Sequence, residues 1–110
     1  MSVRLFPLLL CVGCADRVER VLAKDGDPSA GAAVWDEHCV ECHASDGTGT
    51  DDGPDLTDEP ESSAKLADKI LYGWGEMEGF SEALSNQEVA DLIAYLEDTV
   101  VPPASSTQDR

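Results

Sequence analysis

Two cysteines separated by two residues, with a histidine directly behind them, Cys39-Val40-Glu41-Cys42-His43, constrain this chain more than any other feature. Each thiol can add across one vinyl group of the same porphyrin, and the adjoining histidine is then held under the ring with its imidazole at the iron. Covalent capture and axial ligation become one local event, so the fold must wrap one flat, covalently bound haem c with its iron. Zinc would want two further thiolates or imidazoles at ligand spacing, and downstream of His43 there is no cysteine or histidine. A thioredoxin-like redox pair would want a strand before the motif, whereas Cys39 ends an alanine-rich helical stretch and a glycine-rich loop follows. A disulfide between two cysteines this close would be strained.

A second ligand is also legible. Met77 is the sole methionine besides Met1 and lies in Gly75-Glu76-Met77-Glu78-Gly79-Phe80, where the glycines argue against a packed element and hence against a plain core filler. His43 below and Met77 above give the axial set of an electron carrier. Both axial positions are then filled, which leaves no place for a substrate. The chain is read as a one-electron carrier and not an enzyme, although it could serve as the haem subunit of a larger oxidoreductase. The alternative is a haem-based gas or redox sensor with a labile Met77 ligand. A haem peroxidase would need a distal histidine or arginine, and the chain offers only His38 outside the motif and no arginine between Arg20 and Arg110.

A length of 110 residues leaves room for one domain. Domains this small bury a low fraction of their surface, so the haem would itself act as a large apolar core element and the apo-protein is expected to fold poorly. Residues 1–13 carry one positive charge, Arg4, ahead of an apolar run broken only by Pro7, and are read as an export signal too short to span a bilayer. Val12-Gly13-Cys14 resembles a bacterial lipoprotein box, with Cys14 as the lipidated residue and Cys11 where such a box usually has leucine. Cleavage of an ordinary signal near Ala15 is the other reading. Cys11 and Cys14 make a poor second redox pair, because Ala15 stands where a haem motif needs histidine. The expected location is therefore periplasmic, anchored to a membrane through Cys14.

The formal net charge of −16 excludes nucleic acid as a partner. It would steer the protein toward redox partners with a basic docking surface; the alternative reading is a solvated acidic coat that confers solubility.

Along the chain, residues 14–26 read as a tether or short surface helix. A folded domain is expected over 27–101, and residues 102–110 as a disordered tail. Asp27 caps a first helix with Pro28 in its first turn, and Gly31 in the interior of that helix implies close approach by another helix. Trp35, one turn later, shares its face. The stretch 44–57 is a loop around the haem edge. Within it the carbonyl of Pro54 is the expected acceptor for the second nitrogen of His43, and Leu56 is expected to pack on the ring.

A second helix is expected from about Ser62 to Tyr72, ended by Gly73. Ser85 and Glu88 form a capping box for a last helix, in which Val89, Leu92, Ile93 and Leu96 make one apolar stripe reaching about Thr99. His38 is expected on the surface. Lys65 or Lys69 as a replacement for Met77 is disfavoured by their helical placement. Trp74 is expected either to pack on the haem or to hydrogen-bond a propionate.

The haem motif, Gly-Pro-Asp-Leu at 53–56, the Gly-x-Gly-x-Met-x-Gly-Phe pattern at 73–80 and the helix at 85–96 together resemble the class I cytochrome c family. The resemblance covers roughly residues 27–101. It implies an all-α cytochrome c fold, in which three main helices surround one covalent haem and the first and last of them cross. His43 and Met77 would be the iron ligands, with one haem edge exposed for electron exchange. It also implies attachment of haem outside the cytoplasmic membrane, by haem-maturation machinery. Glu78 departs from the family, which commonly has proline after the methionine; the departure would loosen the ligand loop and set a carboxylate near the iron.

Overall fold

A computed structural model describes residues 16–102; the expected export signal, Cys14 and nearly all of the expected tail lie outside the described residues. Every regular element among the described residues is helical, and the only bridges are the isolated pairs Thr50–Gly53 and Trp74–Met77. The helices are α1 (Arg17–Leu22), α2 (Pro28–His38), α3 (Val40–His43), α4 (Ser63–Tyr72) and α5 (Asn86–Tyr95). A π-helical turn over Leu96–Val100 extends α5, so the helical path runs as far as expected while its hydrogen-bond spacing widens after Tyr95.

Each helix starts where its first residues dictate. Asp27 accepts from the Ser29 N–H with Pro28 in the first turn, and Ser62 accepts from Lys65 N. Ser85 and Glu88 close a reciprocal capping box, which fixes the start of α5. Gly73, at φ +84, receives the end of α4 in a conformation that glycine adopts without steric cost.

The crossing of α2 over α5 organises the core. A Cβ on Gly31 would lie 1.9 Å from the carbonyl oxygen of Asp91, so only glycine permits this approach. The same contact carries a polar clasp: the buried Asp91 carboxylate accepts the Asp27 N–H and the Gln87 Nε2 at 2.9 Å each. These bonds offset the cost of burying a carboxylate. Behind Gly31, Trp35 is 1% exposed and packs on Tyr95 with ring centroids 5.9 Å apart. Leu66, Ile70 and Leu71 of α4 join Val89, Leu92, Ile93 and Leu96 in one apolar cluster.

The segment read as a tether or short surface helix forms a helix within the folded unit: Asp16 caps α1, Val21 is fully buried, and α1 packs against both α4 and α5. The apolar spacing of Val18 and Val21 supplied a core face, while the charged residues around it gave the segment the look of a linker.

Candidate functional site

The haem-binding motif occupies a helix of a single turn. α2 ends at His38, Cys39 bridges the two helices, and α3 carries Cys42 and His43 before Ala44 breaks out at φ +69. The Cys39 carbonyl accepts the His43 N–H at 3.0 Å, which sets the two cysteines and the histidine on one tight turn. Both thiols are free, with Cys42 exposed and Cys39 half-buried. Burial, reinforced by the neighbouring Cys42, pushes the Cys39 thiol up to about 11. A dithiol redox pair needs the opposite shift, toward an accessible thiolate, so this turn is poorly suited to thiol–disulfide exchange.

His43 is only 8% exposed and is fixed on two sides. Its Nδ1 lies 3.0 Å from the carbonyl of Pro54, the acceptor expected from the sequence. With Nδ1 as the donor in this bond, Nε2 is the nitrogen left for a metal, and the bond fixes the orientation of the ring. The indole of Trp35 stacks against the imidazole at 6.2 Å and 29°, and is itself pinned by Nε1 donating to the Ser45 carbonyl at 3.2 Å.

The loop that delivers Pro54 is folded back by short bonds. Gly49 N donates to the His43 carbonyl at 2.9 Å, Leu56 N to the Gly47 carbonyl at 2.7 Å, and Thr50 Oγ1 to the Cys42 carbonyl at 2.7 Å. Asp46 and Asp55 each accept from the N–H and hydroxyl of the threonine two residues on, Thr48 and Thr57, and these bonds hold both carboxyls below the usual aspartate range. Leu56 packs against the edge of the core, and with Pro54, Leu66 and Lys69 it lines an open cleft.

Met77 lies on a separate strap between α4 and α5. Trp74 and Met77 pair through both backbone bonds, at 3.1 and 3.0 Å, around Gly75 at φ +61. Phe80 N and Ser81 N then donate to the carbonyls of Ile70 and Leu71, returning the strap to the end of α4. Met77 is half-buried, while Trp74 is 66% exposed with the Lys69 ammonium 4.9 Å from its ring centroid. Among the described residues no hydrogen bond joins this strap to the loop over 43–57. At the end of α2, His38 is half-buried with its imidazole edge-on to Phe80 of the strap at 5.4 Å.

The residues present fit a covalently held haem. Two free thiols and a buried imidazole with one nitrogen committed share a turn, and a thioether stands on a strap beside a large exposed indole. Sequence reasoning missed the stacking of Trp35 on His43 and the bonds from Arg17 to Ser81, Leu84 and Asn86. The first was accessible in principle from the shared helix face, while the second had no local signal.

Comparison with known proteins agrees with this geometry. Residues 26–96 match the family described as cytochrome C oxidase, cbb3-type, subunit III. The cytochrome c subunit of a quinone-dependent alcohol dehydrogenase from Gluconobacter oxydans (strain 621H) is 32% identical over 95 residues, which is 69% of this chain and 19% of that protein. The chain thus spans about a fifth of the length of that relative. The crystal structure of cytochrome cL from Hyphomicrobium denitrificans superposes with a TM-score of 0.57 at 27% identity, over 62% of this chain and 44% of that one. The chain belongs to the cytochrome c family, and its helical fold is that of a small class I domain with one covalent haem c.

Proposed function

We propose that this protein is a one-electron carrier in which His43 and Met77 are the axial ligands and Cys39 and Cys42 carry the thioether bonds. The observation that supports it best is the state of His43: buried, stacked on Trp35 and bonded through Nδ1 to Pro54, so that a single nitrogen remains for a metal. The haem iron supplies the exchangeable electron, and methionine as the second ligand favours its reduced form. The chain's own part is to hold the ligand set still. Pro54 and Trp35 fix the imidazole, and the paired Trp74–Met77 turn presents the thioether. A ligand set that does not move keeps reorganisation small when the charge changes.

Electron exchange with other redox proteins follows from family membership. The finer reading is that the domain serves a larger oxidoreductase, as the Gluconobacter protein is the cytochrome c subunit of a dehydrogenase. The net charge of −16 favours a partner with a basic docking face, and association would then weaken as salt rises. Haem attachment by maturation machinery, export to the periplasm and lipidation at Cys14 belong to the same proposal, resting on the apolar run and on Val12-Gly13-Cys14. No helix among the described residues is long and apolar enough to cross a membrane. An absorption spectrum of the ferric holoprotein tests the ligation: a weak near-infrared sulfur-to-iron band is expected in wild type and absent in Met77→Ala. A band that is missing from wild type, or that survives the substitution, overturns it.

A further inference from the structure

Arg17 stands on the first turn of α1, more than sixty positions before the segment it touches, yet all of its side-chain bonds go to one place. Its Nε donates to Asn86 Oδ1 at 2.5 Å, Nη1 to the Ser81 carbonyl at 2.5 Å and Nη2 to the Leu84 carbonyl at 2.8 Å. Ser81 and Leu84 flank the turn that follows the Met77 strap. Asn86 is the first residue of α5. The guanidinium therefore satisfies two backbone carbonyls that no helix or strand ladder uses, and ties them to the start of α5.

These bonds complete a series. The strap leaves α4 at Gly73, turns on the Trp74–Met77 pair, and is fastened again where Phe80 N and Ser81 N donate to Ile70 and Leu71. Ser81 is thus held on both sides, its N–H by α4 and its carbonyl by Arg17. Beyond it the chain reaches the capping box of α5 in a few residues. Without Arg17 the Ser81 and Leu84 carbonyls would lose this partner, and the turn would keep only the local Ala83 and Leu84 N–H bonds to the Phe80 carbonyl.

We infer that Arg17 is a positioning residue for the sixth ligand: from α1 it holds the exit of the Met77 strap and so controls how readily the thioether leaves the iron. Only arginine suits the task, since its planar fork reaches three acceptors at once, whereas a lysine can satisfy them only as a point charge. The inference rests on the ligation by Met77 proposed above. It gives α1 a place in the electron-transfer site although α1 lies outside the residues that match the family.

The test uses the full-length holoprotein as wild type, Arg17→Ala, Arg17→Lys and Val21→Ala. Val21→Ala removes the buried apolar anchor of α1 and leaves the guanidinium bonds in place, so it reports the cost of a looser α1 alone. Imidazole added to the ferric protein is the probe, displacing the thioether from the iron. Arg17→Ala should bind imidazole about tenfold faster or more, as expected for loss of charge-assisted bonds, with haem content unchanged. Arg17→Lys should fall between it and wild type, and Val21→Ala should bind at the wild-type rate while unfolding at a lower temperature. Amide hydrogen exchange at Phe80 and Ser81 should quicken in Arg17→Ala and stay near wild type in Val21→Ala. Wild-type imidazole kinetics in Arg17→Ala, or equal acceleration in Val21→Ala, overturns the inference. If the sulfur-to-iron band is missing from wild type, ligation by Met77 has failed, while the exchange of Phe80 and Ser81 still decides whether Arg17 holds the strap.

Discussion

His43 is gripped at its ring, by the Pro54 carbonyl on one nitrogen and by the Trp35 indole on its face, whereas Met77 is gripped only through the backbone that carries it. His43 sits on a helix and is almost wholly buried; Met77 sits half-buried on a strap between glycines. The difference separates two kinds of failure. Disturbing the His43 side removes contacts to the ligand itself and should act on whether haem is held at all. Disturbing the Met77 side moves distant anchors and should act by degrees on how firmly the sixth position is closed.

The largest effect should come from the turn that carries the motif. In the double variant Cys39→Ala/Cys42→Ala no thioether can form, and His43→Ala removes the ligand on the buried side. Both are expected to yield little or no coloured protein, and any pigment in the double variant should pass into acidified acetone. Covalent haem retained in the double variant would break the assignment of the two thiols. Next comes Gly31→Ala, which places a Cβ 1.9 Å from the Asp91 carbonyl oxygen at the crossing of α2 and α5. Backbone must shift to make room, so a loss of about 3 kcal/mol is expected in denaturant unfolding of the holoprotein. Because α2 leads directly into Cys39, the variant should also lower haem incorporation, an effect the strap side should not show.

Met77→Ala sharpens the contrast from the other side. The haem should stay attached, the near-infrared band should vanish and the reduction potential should fall, with a stability loss of about 1–2 kcal/mol for a half-buried side chain. A variant that loses haem as completely as His43→Ala would show that the two ligands are equally structural and would end the comparison.

The same contrast explains what could be read from the chain before its structure. The capping box at Ser85 and Glu88, the proline turn at Asp27 and the glycine stop at Gly73 are local signals, and each set a helix boundary where expected. Gly31 was legible because a glycine in a helix interior costs stability unless a neighbour needs the space. The bond between His43 and Pro54 was legible because the imidazole needs an acceptor and Pro54 lies in the loop that follows. What escaped is non-local. Arg17 and Ser81 are far apart in sequence, and nothing near Arg17 indicates what it will bind. His38 and Phe80 likewise meet only because two chain segments converge. The helical spacing of Val18 and Val21 was legible, but not that the face they make is buried against α4 and α5.

The smallest expected effect concerns acid, and it again falls on one side only. Asp46 and Asp55 flank the loop that brings Pro54 to His43, and each holds a threonine N–H and hydroxyl in its charged form. Those bonds hold both carboxyls below the ordinary aspartate range, so the folded protein releases the proton more readily than the unfolded chain does. The contribution is therefore complete above the ordinary aspartate value of about 3.9 and is lost as pH falls through the depressed folded value. Both carboxylates are exposed, so solvent screening keeps the effect small. Amide exchange at Gly49 and Leu56, whose N–H groups close the loop, should show extra opening in acid once the intrinsic pH dependence of exchange is removed. Phe80 and Ser81, held by backbone carbonyls of α4, should show none from these two groups. Asp46→Asn/Asp55→Asn keeps an acceptor oxygen at each site but no titrating charge, and should flatten the acid response of the loop while leaving the strap unchanged. If the loop still opens in acid to the wild-type extent, these carboxylates are not what fixes Pro54, and the stiffness of the His43 side must come from Trp35 and the backbone bonds alone.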